Sequence, residues 1–333
     1  MSSTYFARGY IAMLRQIPRV SRRRISKSEF GSRFGYWYIT MSVVSLRKKQ
    51  SKQQATHKDN LDEIPNILKH SRDVSEVNIL LGLIIFRLCN VFLVQTWFVP
   101  DEYWQGPEVA HKMVYGYGYK TWEWREGIRG YSYPLLFAIL FKCIGFLRLD
   151  LPKIVVYSPR ILQAICGALG EFYAYKFARL IISPKGAWWM LFCQVTSWFT
   201  FYCITRTITN SMETVLISIA LYYWQFSQTN NITEPVKRTS LLKALILASL
   251  SCLVRPTAMV VWLPLGFSRL LNSKSHCNFL LKNIFPVGIG AIAFSVALDS
   301  WFYHKFIFVQ YNFLYFNIMQ NIGEIYGTHP WHW

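Results

Sequence analysis

An all-α, polytopic membrane protein is the fold class this sequence predicts, on three observations. Of its 333 residues, 53% are apolar and only 16% charged, and the mean hydropathy is +0.20. A soluble chain of this size usually carries more charge and shorter apolar runs. Several runs approach the length of about 20 residues that a helix needs to cross a bilayer. The net charge of +19 is also unevenly spread, with a large share of the excess in the first 75 residues.

Residues 1–77 read as a basic, disordered cytosolic segment, densest at RVSRRR (Arg19 to Arg24) and RKKQSK (Arg47 to Lys52). Positive residues ahead of a first span hold that end in the cytosol, facing anionic headgroups. No helix-turn-helix, zinc-finger or RNA-binding signature accompanies these runs, so a nucleic-acid partner is not expected. Being Arg-rich and acid-poor, the first 40 residues also look like a mitochondrial transit peptide, with Met41 as an internal start.

Residues 78–333 form the expected transmembrane domain. Ile79–Val99 is a full span with one charge, Arg87, and is stopped by Pro100. The run Ala187–Ile204 is uncharged, and Ile284–Tyr303 carries only Asp299. Ile161–Ile182 contains Glu171, Lys176 and Arg179 and is a poorer span. Tyr133–Leu147, Thr214–Phe226, Leu241–Val254 and Thr257–Phe267 are shorter. Roughly seven or eight helices result, some of which must tilt or pair.

Sidedness follows from where Lys and Arg collect. With the N-terminus in the cytosol, the loop 100–132 emerges on the opposite face. Arg269, Lys274 and Lys282 mark another cytosolic loop, so Ile284–Tyr303 crosses outward and places His304–Trp333 beside Asp101. The tip Arg255–Thr257 and the turn Thr205–Asn210 fall on the same face. One conflict stands: Lys142, Arg148, Lys153 and Arg160 mark cytosol one run earlier than Lys176, Arg179 and Lys185 do. Either Tyr133–Leu147 or part of Ile161–Ile182 is therefore expected not to cross. The sequon Asn231-Ile232-Thr233 lies on the cytosolic side and is expected to stay unmodified. The seven cysteines include no C-x-x-C pair and are expected to be buried apolar fillers.

Chemistry concentrates on the far face. TWFVPDEYWQ, Thr96 to Gln105, delivers Asp101 and Glu102 where bilayer meets water, among Trp97, Tyr103 and Trp104. A solvated helix end with an interfacial aromatic belt has the same composition. Arg206, Asn210 and Glu213 flank a break between apolar runs, and Asn210 with Glu213 could equally be a helix cap. Arg255 before Pro256 could bind a phosphate or a carboxylate. His329 and His332 have a spacing that can hold metal on a helix, but Pro330 opposes a regular helix and no third ligand is evident, so no metal is expected. Trp122 and Trp124 lie in an aromatic loop suited to stacking on sugar rings or to lying on a membrane. A carboxylate base with arginines on one face suits transfer from a phosphate-activated donor, because the phosphate departs as a stable anion. Such a single displacement parallels inverting glycoside hydrolysis, with a sugar hydroxyl in place of water.

FVPDEYWQ, GYKTWEWREGIRGYSYPLLFA (Gly118 to Ala138), RTITNSMET (Arg206 to Thr214), RPTA (Arg255 to Ala258) and YGTHPWHW together resemble the endoplasmic-reticulum mannosyltransferases that use dolichol-phosphate mannose. The similarity runs from about Leu80 to the end. It implies a GT-C-type helical bundle, multi-pass in the endoplasmic-reticulum membrane, with the active site in the lumen. The branch it resembles acts on glycosylphosphatidylinositol (GPI) precursors, which implies inverting transfer of mannose onto the 2-hydroxyl of the second mannose. No cofactor or metal is implied. The family's acidic pair falls on Asp101 and Glu102. Binding of donor or acceptor is expected of Arg206, Asn210, Glu213, Arg255, His329, Trp331, His332, Trp122 and Trp124. Relatives continue past the position of Trp333, so a longer reading frame is expected. Two other readings are a sister enzyme of N-glycan precursor assembly and a lipid or sugar transporter lined by Arg87, Glu171 and Arg179.

Overall fold

The computed structural model describes residues 66–320 apart from Asn231, Lys274 and Ser275. The expected N-terminal segment up to residue 65 and the cluster His329, Trp331 and His332 lie outside the described residues. Among the described residues every regular element is helical.

Helix α1, Asn66–Leu93, starts well ahead of the expected boundary at 78 and stops short of the expected Val99. Val94 N still reaches the Asn90 carbonyl at 3.0 Å, but the chain then leaves the helix. Pro100 disfavours helical geometry in the residue before it. Arg160 donates to the freed Val94 carbonyl at 2.5 Å, so tertiary contacts replace the missing helical bonds. A short connecting region follows: α2 (Asp101–Trp104), α3 (Pro107–Tyr115) and α4 (Trp122–Arg125).

Helix α5, Ser132–Phe146, has 15 residues, and α6, Pro152–Ile181, has 30. The expected continuous run Ala187–Ile204 is instead two helices, α7 (Pro184–Thr196) and α8 (Trp198–Cys203). Ser197 causes the break: its extended backbone ends α7, and its Oγ accepts from Thr200 N at 3.3 Å to cap α8. Then come α9 (Thr209–Phe226), α10 (Glu234–Val254), a 3-10 turn (Pro256–Ala258) and α11 (Met259–Leu271). A π-helical stretch, Leu280–Ile284, joins α12 (His276–Phe279) to α13 (Phe285–Tyr303), and α14 is Val309–Leu314. By length and apolar composition, Glu76–Leu93 and His276–Tyr303 are long enough to cross a membrane; Ser132–Phe146 and Pro256–Leu271 are apolar but shorter.

Side-chain ties sort the helix ends into two layers. Arg160 and Tyr157, near the start of α6, meet Val94 and Gln95 beyond the end of α1. At the other end of α6, Arg179 and Lys176 bridge to Glu76 at 2.6 and 2.9 Å. Thr207 and Arg255 bring the start of α9 and the end of α10 to the Asp101 layer. Arg269, near the end of α11, donates to Ser227 in the opposite layer. Helix α5 packs with α3 and the start of α6 in one apolar cluster around Phe137 and Phe141. It therefore stays in the Asp101 layer while α6 runs through. Lys142, Arg148, Lys153 and Arg160 accordingly sit in the Asp101 layer with α5 and the start of α6.

The charges inside the bundle are struts. Arg87 Nε donates to Glu171 Oε2 at 2.9 Å, and its Nη2 pairs with Oε1, joining α1 to α6 with both side chains buried. Together with Arg179–Glu76, this uses the residues that a transport pathway would have employed. The expectation for the cysteines is met in part: all seven are free, Cys166, Cys203 and Cys252 are partly buried with Cys166 packed against the core cluster of Phe137 and Phe141, and Cys89, Cys143, Cys193 and Cys277 are exposed.

Candidate active site

The site grows from the one-turn helix α2. Successive helical residues point about 100° apart, so Asp101 and Glu102 cannot share a direction. Glu102 turns inward and is 3% exposed, whereas Asp101 turns outward.

Glu102 is held on every side. Its Oε2 accepts from Arg206 Nη1 at 2.9 Å and its Oε1 from the same nitrogen at 3.3 Å. Phe98 N donates to Oε1 at 3.3 Å, and Thr207 Oγ1 donates to the Glu102 carbonyl at 2.5 Å. Arg206, wholly buried, spends its other nitrogens on Tyr202 O (2.9 Å) and Thr96 Oγ1 (3.4 Å), and its guanidinium carbon lies 4.2 Å from the centre of the Tyr202 ring. A buried charge without its partner is costly, and this pair satisfies both. Arg206 was expected to bind substrate; in this structure its guanidinium is buried and engaged with Glu102, Tyr202 and Thr96.

Asp101 is differently placed. Gln105 Nε2 donates to its Oδ2 at 2.7 Å, and Gln105 is itself fixed by Thr209 Oγ1, which donates to Oε1 at 3.0 Å. Its Oδ1 receives no hydrogen bond from the described residues. Its carboxyl is pushed above the usual aspartate range, first by the protein crowding it and then by the negative charge of Glu123; Arg129 and Arg255 pull the other way. Asp101 is open at its surface yet backed by protein, and crowding on the backed side outweighs the open face.

Glu213 and Arg255 meet across α9 and α10. Arg255 Nη1 donates to Glu213 Oε2 at 3.2 Å, and Thr257 Oγ1 donates to Oε1 at 3.2 Å. Pro256 forces Arg255 into extended backbone (φ −146°, ψ 120°), which ends α10 and leads into the turn carrying Thr257. The capping reading of Asn210 and Glu213 is overturned. Helix α9 starts at Thr209 with Ile208 at its cap position, and no side chain caps it. Asn210 lies exposed in the first turn.

The loop before α5 supplies a third pair, Arg129 Nη2 to Glu123 Oε1 at 2.7 Å. Gly127, at φ +67°, lets this loop close on α14: a Cβ there would lie 2.1 Å from Ile307 Cδ1. Asp299 of α13 secures the loop from below, accepting from Tyr131 N at 2.7 Å and Ser295 Oγ at 2.8 Å. Trp124 is corrected as a sugar-stacking residue: it is 2% exposed, donates from Nε1 to the Trp104 carbonyl at 3.0 Å and packs 5.0 Å from Tyr131. Trp122 keeps 37% of its surface exposed.

The structure thus brings Asp101, Glu102, Arg206, Glu213 and Arg255 to one end of the bundle. Sequence reasoning gave no role to Gln105, Thr207, Tyr202 or Asp299. Gln105 stands four residues after Asp101, a spacing that is itself a signal; Asp299 showed only as a charge near the end of an apolar run.

The described residues thus form a helical bundle that presents an open carboxylate beside paired arginines at one end. The chain belongs to the Alg9-like mannosyltransferase family, whose profile matches residues 78–333. Among curated relatives it is 42% identical to GPI alpha-1,2-mannosyltransferase 3 of Danio rerio over 290 residues, 87% of this chain and 51% of that protein. It is 42% identical to the protein of the same name in Homo sapiens over 257 residues, 77% of this chain and 45% of that one. Mannosyltransferase APTG1 of Arabidopsis thaliana is also 42% identical, over 77% of this chain and 46% of its own length. The chain spans about half the length of the curated relatives it matches. No solved structure matches it.

Proposed function

We propose that this chain transfers mannose from dolichol-phosphate mannose to the 2-hydroxyl of the second mannose of a GPI precursor, in α-1,2 linkage. The relatives' names, GPI alpha-1,2-mannosyltransferase 3, supply the linkage and the acceptor class. The setting is a multi-pass GT-C-type bundle in the endoplasmic-reticulum membrane. Helices α1, α6, α7 with α8, α9, α10, α11 and α12 with α13 pass in alternating directions, and the Asp101 layer faces the lumen. The aromatic edge Trp97, Phe98, Tyr103 and Trp104, exposed beside Asp101, fits a membrane interface.

The observation that carries the chemistry is the division of labour within the acidic pair. Glu102 is committed to Arg206, while Asp101 keeps an oxygen free and a raised affinity for protons. Asp101 accepts the proton of the attacking hydroxyl as the new C1–O bond forms. The C1–O bond to phosphate breaks on the opposite side, its electron pair leaving with dolichol phosphate, and the anomeric centre inverts. The side chain of Arg255 is 27% exposed, and its guanidinium offers more donors than the one spent on Glu213, so it can meet the departing phosphate; His329 and His332 are further contributors in this reading.

Cells lacking this protein are expected to lose GPI-anchored proteins from their surface while their lipid-linked N-glycan precursors stay full length. Re-expression of the wild-type protein restores display, and the Asp101→Asn variant does not. Shortened N-glycan precursors with normal GPI display would overturn the choice of acceptor.

A further inference from the structure

The loop before α5 is gripped along its backbone by three side chains from much later in the sequence. Asp299 Oδ1 accepts from Tyr131 N at 2.7 Å, Tyr303 Oη donates to the Arg129 carbonyl at 2.9 Å, and Asn312 Nδ2 donates to the Gly127 carbonyl at 3.2 Å. Every second residue from 127 to 131 is therefore tied to α13 or α14. The anchor is itself braced: Ser295 Oγ donates to Asp299 Oδ2 at 2.8 Å and accepts from Gln310 Nε2 at 2.7 Å. Asp299 is 1% exposed. A carboxylate buried this deeply in a membrane-length helix is costly, and such groups usually serve function.

Side chains that bond loop backbone commonly do no more than hold a fold together. This grip, however, is connected to Asp101 by two routes. Tyr131 packs with its ring centre 5.0 Å from that of Trp124, and Trp124 Nε1 donates at 3.0 Å to the carbonyl of Trp104. Trp104 is the last residue of α2, the one-turn helix that Asp101 begins. Trp124 and Tyr131 are both buried, so close packing passes a shift of one to the other. By the second route, Arg129, whose carbonyl Tyr303 holds, pairs with Glu123, and both charges act on Asp101. We propose that Asp299, Tyr303 and Asn312 are positioning residues: gripping the 127–131 backbone, they fix α2 through Trp124 and so aim the open oxygen of Asp101 at the attacking hydroxyl. The role rests on Asp101 being the base, as proposed for the transfer reaction.

Two measurements test this. Amide exchange of the purified chain in detergent reads the grip itself: Tyr303→Phe, which removes one hydroxyl and keeps the ring, should speed exchange across the 122–131 loop and leave α6 and α9 unchanged. Mannose transfer in membranes reads the consequence. Tyr303→Phe should lower kcat about fivefold, the worth of one ordinary hydrogen bond. Asp299→Leu should lower it about 10²-fold, as a misplacement on the order of 1 Å does, with KM for dolichol-phosphate mannose nearly unchanged. Asp299→Asn keeps an oxygen for Tyr131 N and should recover most of that loss. If Asp299→Leu does not fold, Tyr303→Phe decides the matter alone. In an Asp101→Asn background Tyr303→Phe should cost nothing further, because it acts through Asp101, whereas a merely structural residue would lower the rate by the same factor in both backgrounds. Equal factors in the two backgrounds, or unchanged exchange and kcat in Tyr303→Phe, would overturn the positioning role while leaving the base in place. Wild-type transfer by Asp101→Asn alone would instead refute the base.

Discussion

The two ends of the bundle handle charge in opposite ways. In the Asp101 layer three arginines each meet a carboxylate: Arg206 with Glu102, Arg255 with Glu213 and Arg129 with Glu123. In the opposite layer Lys237, Arg238, Arg269 and Lys282 line one concavity with the exposed Glu234. Of the carboxylates Asp101, Glu102, Glu123 and Glu213, Asp101 is the one that no guanidinium bridges. A carboxylate locked to a guanidinium has its oxygens committed to that partner, whereas one that is crowded but not bridged keeps an oxygen free to take up a proton.

The strongest way to break that contrast is Asp101→Asn. Loss of a general base costs about 10²- to 10⁴-fold in rate, or roughly 3–5 kcal/mol of barrier. Mannose transfer measured in membranes should drop by that factor while the thermal unfolding midpoint stays at the wild-type value. Transfer at the wild-type rate would move the base elsewhere.

Glu102→Gln should show the opposite pattern. It leaves Arg206 charged and unpaired in a buried position, a loss of about 3–5 kcal/mol of stability. Combining it with Arg206→Met should recover most of that stability, because the uncompensated charge goes too. Thermal unfolding in detergent reads both. A single variant as stable as the wild type would mean that the pair is not a strut, and the division of labour between the neighbouring carboxylates would fail.

Much of this was legible in the sequence, for identifiable reasons. Pro100 after an apolar run announced the site, and Arg255-Pro256 announced the extended turn, because proline acts on its neighbour whatever the tertiary setting. Composition was enough to foresee that the regular elements among the described residues would all be helices. What stayed hidden depended on direction. Whether Asp101 or Glu102 faced inward rests on how α2 leaves the Thr96–Val99 segment, and Tyr202, Thr96 and Thr207 decide it from other parts of the chain. Trp124 read as a sugar platform because composition cannot tell a buried indole from an exposed one. Charge counting alone could not place Lys142, Arg148, Lys153 and Arg160, because it cannot show that α5 packs against α3 and the start of α6 in the Asp101 layer.

The finest probe of the contrast is the pair that flanks Asp101. As a base, Asp101 must be ionised, so transfer is retained above its pKa and lost as pH falls through it. Its raised value places that loss at a higher pH than an ordinary aspartate would give. Glu123→Gln removes a negative charge that favours protonation and releases Arg129 from its ion pair, so both changes ease ionisation and the acid limb should move to lower pH. Arg129→Gln removes a stabilising cation and releases Glu123, so the limb should move to higher pH. Crowding rather than Glu123 is the leading cause of the rise, so these shifts should be smaller than the effects above. Their opposite signs are the diagnostic: damage to the loop would depress the rate in both variants and leave the two limbs in the same place.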